Sequence, residues 1–223
     1  MTKKHKNILI CFIGIDGSGK STLARWLLDT LQRNGTDGRL LWGAYQLSIF
    51  KPVFRLGEAI LLPKKSFTNH EQYYASAKKL SRHSSLSSIY EGLLLFEYFF
   101  QILFRVTVPL ITGRNVICDR YVYDTFIHLA VNLGYSNAQF KSKLARFLRL
   151  CPKPDVIFMV DIPEEIAITR KQDIPSLGYL KRRREYYSLV RDEYKVIILD
   201  GSGNLEKLED MVKAKVGERL GDE

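Results

Sequence analysis

Nine consecutive residues carry the strongest chemical pattern in this sequence: Gly14-Ile15-Asp16-Gly17-Ser18-Gly19-Lys20-Ser21-Thr22. They fit the spacing G-x-x-x-x-G-K-[ST], and each part has a physical task. The glycines let successive backbone N–H groups turn inward around phosphate oxygens. The start of the following helix adds its partial positive charge. Lys20 reaches the terminal phosphates, and the Ser21 hydroxyl is placed to ligate a divalent metal. A glycine-rich turn joining strand to helix would need neither the lysine nor the hydroxyl pair. The ligand is a nucleoside triphosphate, and the pattern leaves the acceptor open.

A second carboxylate follows from Val116-Ile-Cys-Asp-Arg-Tyr121, an apolar run ending in Asp119 and Arg120. In a parallel sheet, ligands sit at the carboxyl ends of strands, so this pair is expected beside the phosphate loop. Asp119 there can hold a metal ion through water or orient the acceptor. Arg120 can neutralise charge spreading over a transferring phosphoryl group. Asp161 ends another apolar run and is the second choice for the metal, with helix capping as its competing role. Arg170 and Lys171 precede a segment holding Asp173, Pro175 and Gly178, and Lys181, Arg182, Arg183 and Arg184 follow it. Such a cationic loop could close over a triphosphate, with Arg170 in the catalytic set. Four consecutive cations cannot all face one ligand, so at least two of them belong to the surface.

These residues need elements to position them. Five short apolar runs read as strands: 7–13, 39–42, 115–118, 155–161 and 195–199. Helical patterns occupy 20–34, most of 45–112, 122–133, 136–150, about 164–170, 179–193 and 204–220. Alternating strands and helices predict an α/β fold with a mostly parallel five-stranded sheet and helices on both faces. A single domain over 1–223 is expected, with a helical region at about 45–112 and a lid at about 170–184.

Composition narrows the class. The chain has 223 residues, 46% hydrophobic and 26% charged, which excludes disordered, collagen-like and coiled-coil classes. A formal charge of +10 favours polyanionic partners. Cys11, Cys118 and Cys151 are too few and scattered for a disulfide framework, so reduced core cysteines and a cytoplasmic setting are expected. The basic start, 1–7, precedes only six apolar residues, shorter than the roughly 7–15 of a signal peptide. Residues 92–111 are very apolar, but Glu97, Gln101 and Arg105 share one helical face and Pro109 is expected to end the run. A mostly buried helix is therefore expected rather than a membrane span, and its surplus apolar surface predicts a homodimer.

Together these residues resemble the thymidylate kinase family of P-loop nucleoside monophosphate kinases. The resemblance covers nearly the whole chain in order. It rests on the loop 14–22, on Asp119-Arg120-Tyr121, on Lys153-Pro154-Asp155 opening an apolar strand, and on the lid followed by a Tyr-rich helix. It implies the three-layer P-loop kinase fold, ATP and Mg²⁺ as cofactors, and a nucleotide substrate. It further implies that Asp16 contacts the acceptor sugar and Tyr121 the acceptor. Several family features are replaced. Ile13 stands where relatives carry Glu, Leu40–Gln46 holds no arginine after the second strand, and Phe99 stands near a second acceptor-phosphate arginine. Either Lys51, Arg55, Arg82 or Arg105 substitutes, or the acceptor is not dTMP.

Three functions compete on the sequence. One is transfer of the γ-phosphoryl of ATP to dTMP or a related nucleotide. Another is a kinase for an uncharged acceptor such as a nucleoside, needing Asp119 or Asp16 as base. The last is a nucleotide-dependent binding protein without kinase activity, using the basic-aromatic stretch 51–90, which includes Tyr73 and Tyr74. No nucleic-acid motif accompanies that stretch, so nucleic acid is not an expected partner.

Overall fold

The computed structural model describes residues 7–46, 84–171 and 174–221. Lys51, Arg55, Arg82, Asp173 and most of the basic stretch 51–90 lie outside the described residues.

Strand β1, Leu9–Ile13, is buried along its whole length, as a run of five apolar residues with helices above and below requires. Its even and odd positions face different cores. Ile10 and Phe12 pack with Leu23 and Leu27 of helix α1 (Lys20–Arg33) and with Val212. Leu9, Cys11 and Ile13 pack with Tyr98, Phe126, Phe140 and Leu180 on the opposite face.

Strands β2 (Gly38–Trp42), β3 (Asn115–Asp119), β4 (Val156–Asp161) and β5 (Ile197–Asp200) complete an all-parallel sheet. Its order is β2-β3-β1-β4-β5, the three-layer α/β arrangement expected from the alternation of elements. Register places Phe12 beside Asp119 and Asp119 beside Trp42, so the carboxyl ends of β1, β2 and β3 form one edge. Backbone bonds fasten that edge: Arg120 N donates to Phe12 O at 2.9 Å, and Gly43 N to Asp119 O at 3.0 Å.

Helix α2 spans Ser84–Ile102, widens into a π turn at Leu103–Thr107, and continues as α3, Val108–Ile111. Pro109 is expected to end this helix and does not. Proline removes one i→i−4 bond and crowds the preceding turn, and the wider π turn accommodates it. The polar face expected from Glu97, Gln101 and Arg105 is real. Glu97 accepts from Tyr45 Oη at 2.9 Å, Gln101 Nε2 donates to Gln46 O at 2.5 Å, and Arg105 Nη1 donates to Gln46 Oε1 at 2.9 Å. The stripe therefore holds the segment after β2.

The other face corrects the expectation of a mostly buried helix. Phe96, Phe104, Val108 and Ile111 are exposed. Phe100 bridges Phe96 and Phe104 with ring centroids 5.0 and 6.3 Å apart. Only 33% of its most apolar window is buried, and Glu91–Ile111 is long and apolar enough to cross a membrane by length and composition.

Helices α4 (Val122–Leu133), α5 (Asn137–Leu148), α6 (Glu164–Arg170), α7 (Leu177–Glu193) and α8 (Leu205–Leu220) fill the remaining layers. Ser136 opens α5 with a capping box to Gln139. Ser176 caps α7, which therefore begins two residues before the expected position 179.

Candidate active site

The turn after β1 is where the sequence pattern places the phosphate loop, and its backbone explains two of its glycines. Gly14 has φ +141°, and a side chain there would strike the Val160 carbonyl. Gly17 has φ +82°, and a Cβ would sit 2.6 Å from the Ala167 carbonyl of α6. Side chains at either position would clash and demand a backbone conformation that L-residues rarely adopt.

Lys20 opens α1 and is buried against the loop, with Nζ donating to Ile15 O at 2.5 Å and to Ser18 Oγ at 3.1 Å. Burial, followed by the nearby Arg120 charge, pushes the Lys20 ammonium down to about 7, against the opposing pull of Asp124 and Asp16. Ser21 is half-buried, and Thr22 is exposed.

Asp16 joins the loop to the strand edge. Its Oδ1 pairs with Arg120 Nη2 and lies 3.7 Å from Lys171 Nζ, while Oδ2 accepts from Arg183 Nη1 at 2.9 Å. Burial alone would raise its pKa. The Arg120, Arg183, Lys20 and Lys171 charges overcome that and hold the carboxyl well below its ordinary range.

Arg120 reaches Asp16 from an unusual backbone. It has φ +71° and is the only non-glycine residue with positive φ among those described. That left-handed step costs energy in a residue with a Cβ and marks a position held by its surroundings. Asp124, one helical turn on, takes Arg120 Nη1 at 3.4 Å and Tyr187 Oη at 2.6 Å. Arg120 Cζ also lies 4.9 Å from the centroid of the half-exposed Trp42 ring.

Asp119 is buried beside Arg120, and its Oδ1 has no hydrogen-bond partner among the described residues. An orphaned buried carboxylate oxygen is costly unless a ligand uses it. No group of three or more metal-ligating side chains exists among the described residues. A hard cation there would have to draw most of its ligands from phosphate and water oxygens, and the unpartnered Asp119 Oδ1 and the Ser21 hydroxyl are the protein oxygens that would be available to it.

Other expected site residues lie elsewhere. Arg170 is not gathered into the Asp16–Arg120 cluster. Its Nη1 donates to Gly201 O at 3.0 Å in the loop after β5, and Gly201 packs on the outside of the phosphate loop at Ser18. Tyr121, expected at the acceptor, is fully buried and donates its hydroxyl to Pro152 O at 2.9 Å, because the chain turns inward after Arg120. Asp161 is paired with Arg184 Nη2 at 3.0 Å, and Glu164 takes the other Arg184 nitrogen at 3.0 Å. Lys181 and Arg182 are exposed.

Three participants are not singled out by the sequence pattern: Arg183, Tyr187 and Asp124. Arg183 is one cation in a run of four. Its signal is the spacing Tyr179, Arg183, Tyr187, which stacks three side chains on one helical face. Asp124 could be found as the residue four after Arg120.

Known proteins resemble this chain over most of its length. A sequence model described as thymidylate kinase matches residues 75–212. A thymidylate kinase of Kosmotoga olearia is 26% identical over 217 residues, covering 92% of this chain and 93% of the relative. A probable thymidylate kinase of Archaeoglobus fulgidus is 26% identical with the same coverage. One of Methanocaldococcus jannaschii is 27% identical over 197 residues, covering 87% of each. With a matched region spanning more than half its length, this phosphotransferase chain belongs to the thymidylate kinase family.

Proposed function

We propose that this chain transfers the γ-phosphoryl group of ATP, with Mg²⁺, to dTMP or a related deoxynucleotide. One observation carries the reading: the Arg120–Asp16 ion pair joins the strand-end carboxylate of Asp119 to the phosphate loop, so donor and acceptor chemistry share one sheet edge. The names of the relatives supply the acceptor class.

In this reading the loop amides and Lys20 grip the β- and γ-phosphates. Ser21 and Asp119 would hold the metal, which would supply positive charge against the phosphates. Arg120 faces the transferring group, and Asp16 lies within reach of the acceptor. An acceptor phosphate is already ionised, so no strong base is needed, and positioning with charge compensation does the work. The exposed Phe96–Phe100–Phe104 row supports a homodimer, and three free, buried cysteines suit a cytoplasmic setting.

A kinase for an uncharged acceptor is the second reading. It is favoured by Glu97, a buried carboxylate that accepts from Tyr45 Oη at 2.9 Å in the segment after β2. An ADP-release screen with ATP and Mg²⁺ over nucleosides and monophosphates separates the two. Turnover with dTMP is expected, and turnover of uncharged acceptors alone would reject the proposal.

A further inference from the structure

Arg183 is buried in a manner that a simple helix staple does not require. Tyr179 and Tyr187, one turn either side on α7, accept from its Nη1 at 2.9 Å and its Nη2 at 3.3 Å. Their rings flank the guanidinium, with centroids 5.5 and 5.9 Å from Cζ. Tyr187 Oη also lies 2.7 Å from Gly14 O and 2.6 Å from Asp124 Oδ1, either of which can take its one proton, and this fixes the phenol against the phosphate loop. The fork is therefore rigid before any ligand arrives.

Its donor inventory is incomplete. A guanidinium has five N–H groups. Arg183 spends two on the tyrosines and one on Asp16, leaving Nε–H and one Nη2–H. Arg120 spends one on Asp16 and one on Asp124. The Nε of each arginine is buried without a hydrogen-bond partner among the described residues. Unmet buried donors are costly, and two on adjacent guanidiniums around one carboxylate mark a place built for a larger anion.

Charge points the same way. Arg120, Arg183 and Lys171 face Asp16, with Asp124 behind Arg120, so an added anion would be balanced rather than repelled. Three terminal phosphate oxygens match two planar forks better than the two oxygens of a carboxylate do.

We propose that Arg183, acting with Arg120, is the anchor for the acceptor's phosphate, and that Asp16 is the internal anion that holds the two forks in place until that phosphate binds. This rests on the monophosphate kinase reading above.

The test titrates dTMP, without ATP, into the full-length wild type, Arg183→Met and Arg183→Lys. ADP-release kinetics then give the KM for ATP and for dTMP, and thermal melts report folding. Arg183→Met is expected to weaken dTMP binding by about tenfold or more while the KM for ATP stays within about threefold, with Arg183→Lys in between. Unchanged dTMP affinity in Arg183→Met, with the wild type active on dTMP, would overturn this assignment alone. So would an equal loss for dTMP and ATP that follows a fall in Tm in both variants, since that is the signature of a staple. A wild type that turns over only uncharged acceptors would remove the kinase reading and this assignment together.

Discussion

Lys20 offers a sharp test of how the phosphate loop is charged. Its ammonium is buried, and its pKa is drawn from 10.5 down to about 7. Each tenfold change in a proton equilibrium corresponds to about 1.4 kcal/mol, so keeping that charge in the ligand-free fold costs about 3–5 kcal/mol. The sign follows from proton counts. Between about pH 7 and 10.5 the unfolded chain holds a proton on Lys20 that the folded chain has released, so stability rises with pH across that window. A bound triphosphate supplies the missing counter-charge and should restore the proton. At about pH 8, where Mg-bound ATP is already fully ionised, nucleotide binding is therefore expected to take up close to one proton per site. Isothermal titration at that pH in buffers of different ionisation enthalpy reads this as a buffer-dependent apparent enthalpy. Lys20→Met should lose the buffer dependence, lose phosphoryl transfer, and melt higher than the wild type in the absence of nucleotide. Buffer-independent binding by the wild type, or a Lys20→Met variant that still turns over, would refute the reasoning.

Asp119→Asn is nearly isosteric and replaces a carboxylate whose Oδ1 has no partner among the described residues. It should keep the melting temperature but lower kcat by about a hundredfold, with little change in the KM for ATP; an equal loss in both would place Asp119 in ground-state metal binding. Asp16→Asn leaves two buried guanidiniums without their shared anion and should destabilise the ligand-free protein by about 3 kcal/mol in denaturant melts. Because the folded pKa of Asp16 is depressed, the gap between wild type and variant should be full above about pH 4 and close as pH falls below it. Phe104→Glu places a charge on the exposed aromatic row of the long apolar helix and should shift a dimer to monomer in sedimentation, without changing the kinetics of a folded monomer.

Much of the molecule is legible in its sequence because the informative signals are local. A buried strand announces itself by unbroken apolar residues, and β1, β3 and β4 do so. The loop motif is likewise contiguous, and so is the Asp119–Arg120 pair. What escapes depends on how distant segments meet. Arg183 and Asp16 are 167 positions apart, and no spacing rule links them. Tyr121 lies away from its expected place because a left-handed step at Arg120 reverses the chain, sending the next side chain into the core. Arg170 differs for a similar reason. Proximity to a cationic run says nothing about which way a helix end points, and here it points toward Gly201.

The widened turn at Leu103–Thr107 makes the length of its helix a fixed quantity. A π turn holds one residue more than the α-helical path it replaces. Tightening it into regular α-helix with every residue kept would swing everything downstream about the axis by about 100°. Leu110, whose carbonyl receives Asn7 Nδ2 at 2.9 Å, would then turn away from its donor, and Pro109, whose carbonyl receives Arg114 N at 3.0 Å, would carry the start of β3 with it. The entrance to β1 and the entrance to β3 are thus clamped by the same short stretch. Such a regularised helix would loosen the two strands that end at Asp119 and the phosphate loop, from some distance behind them.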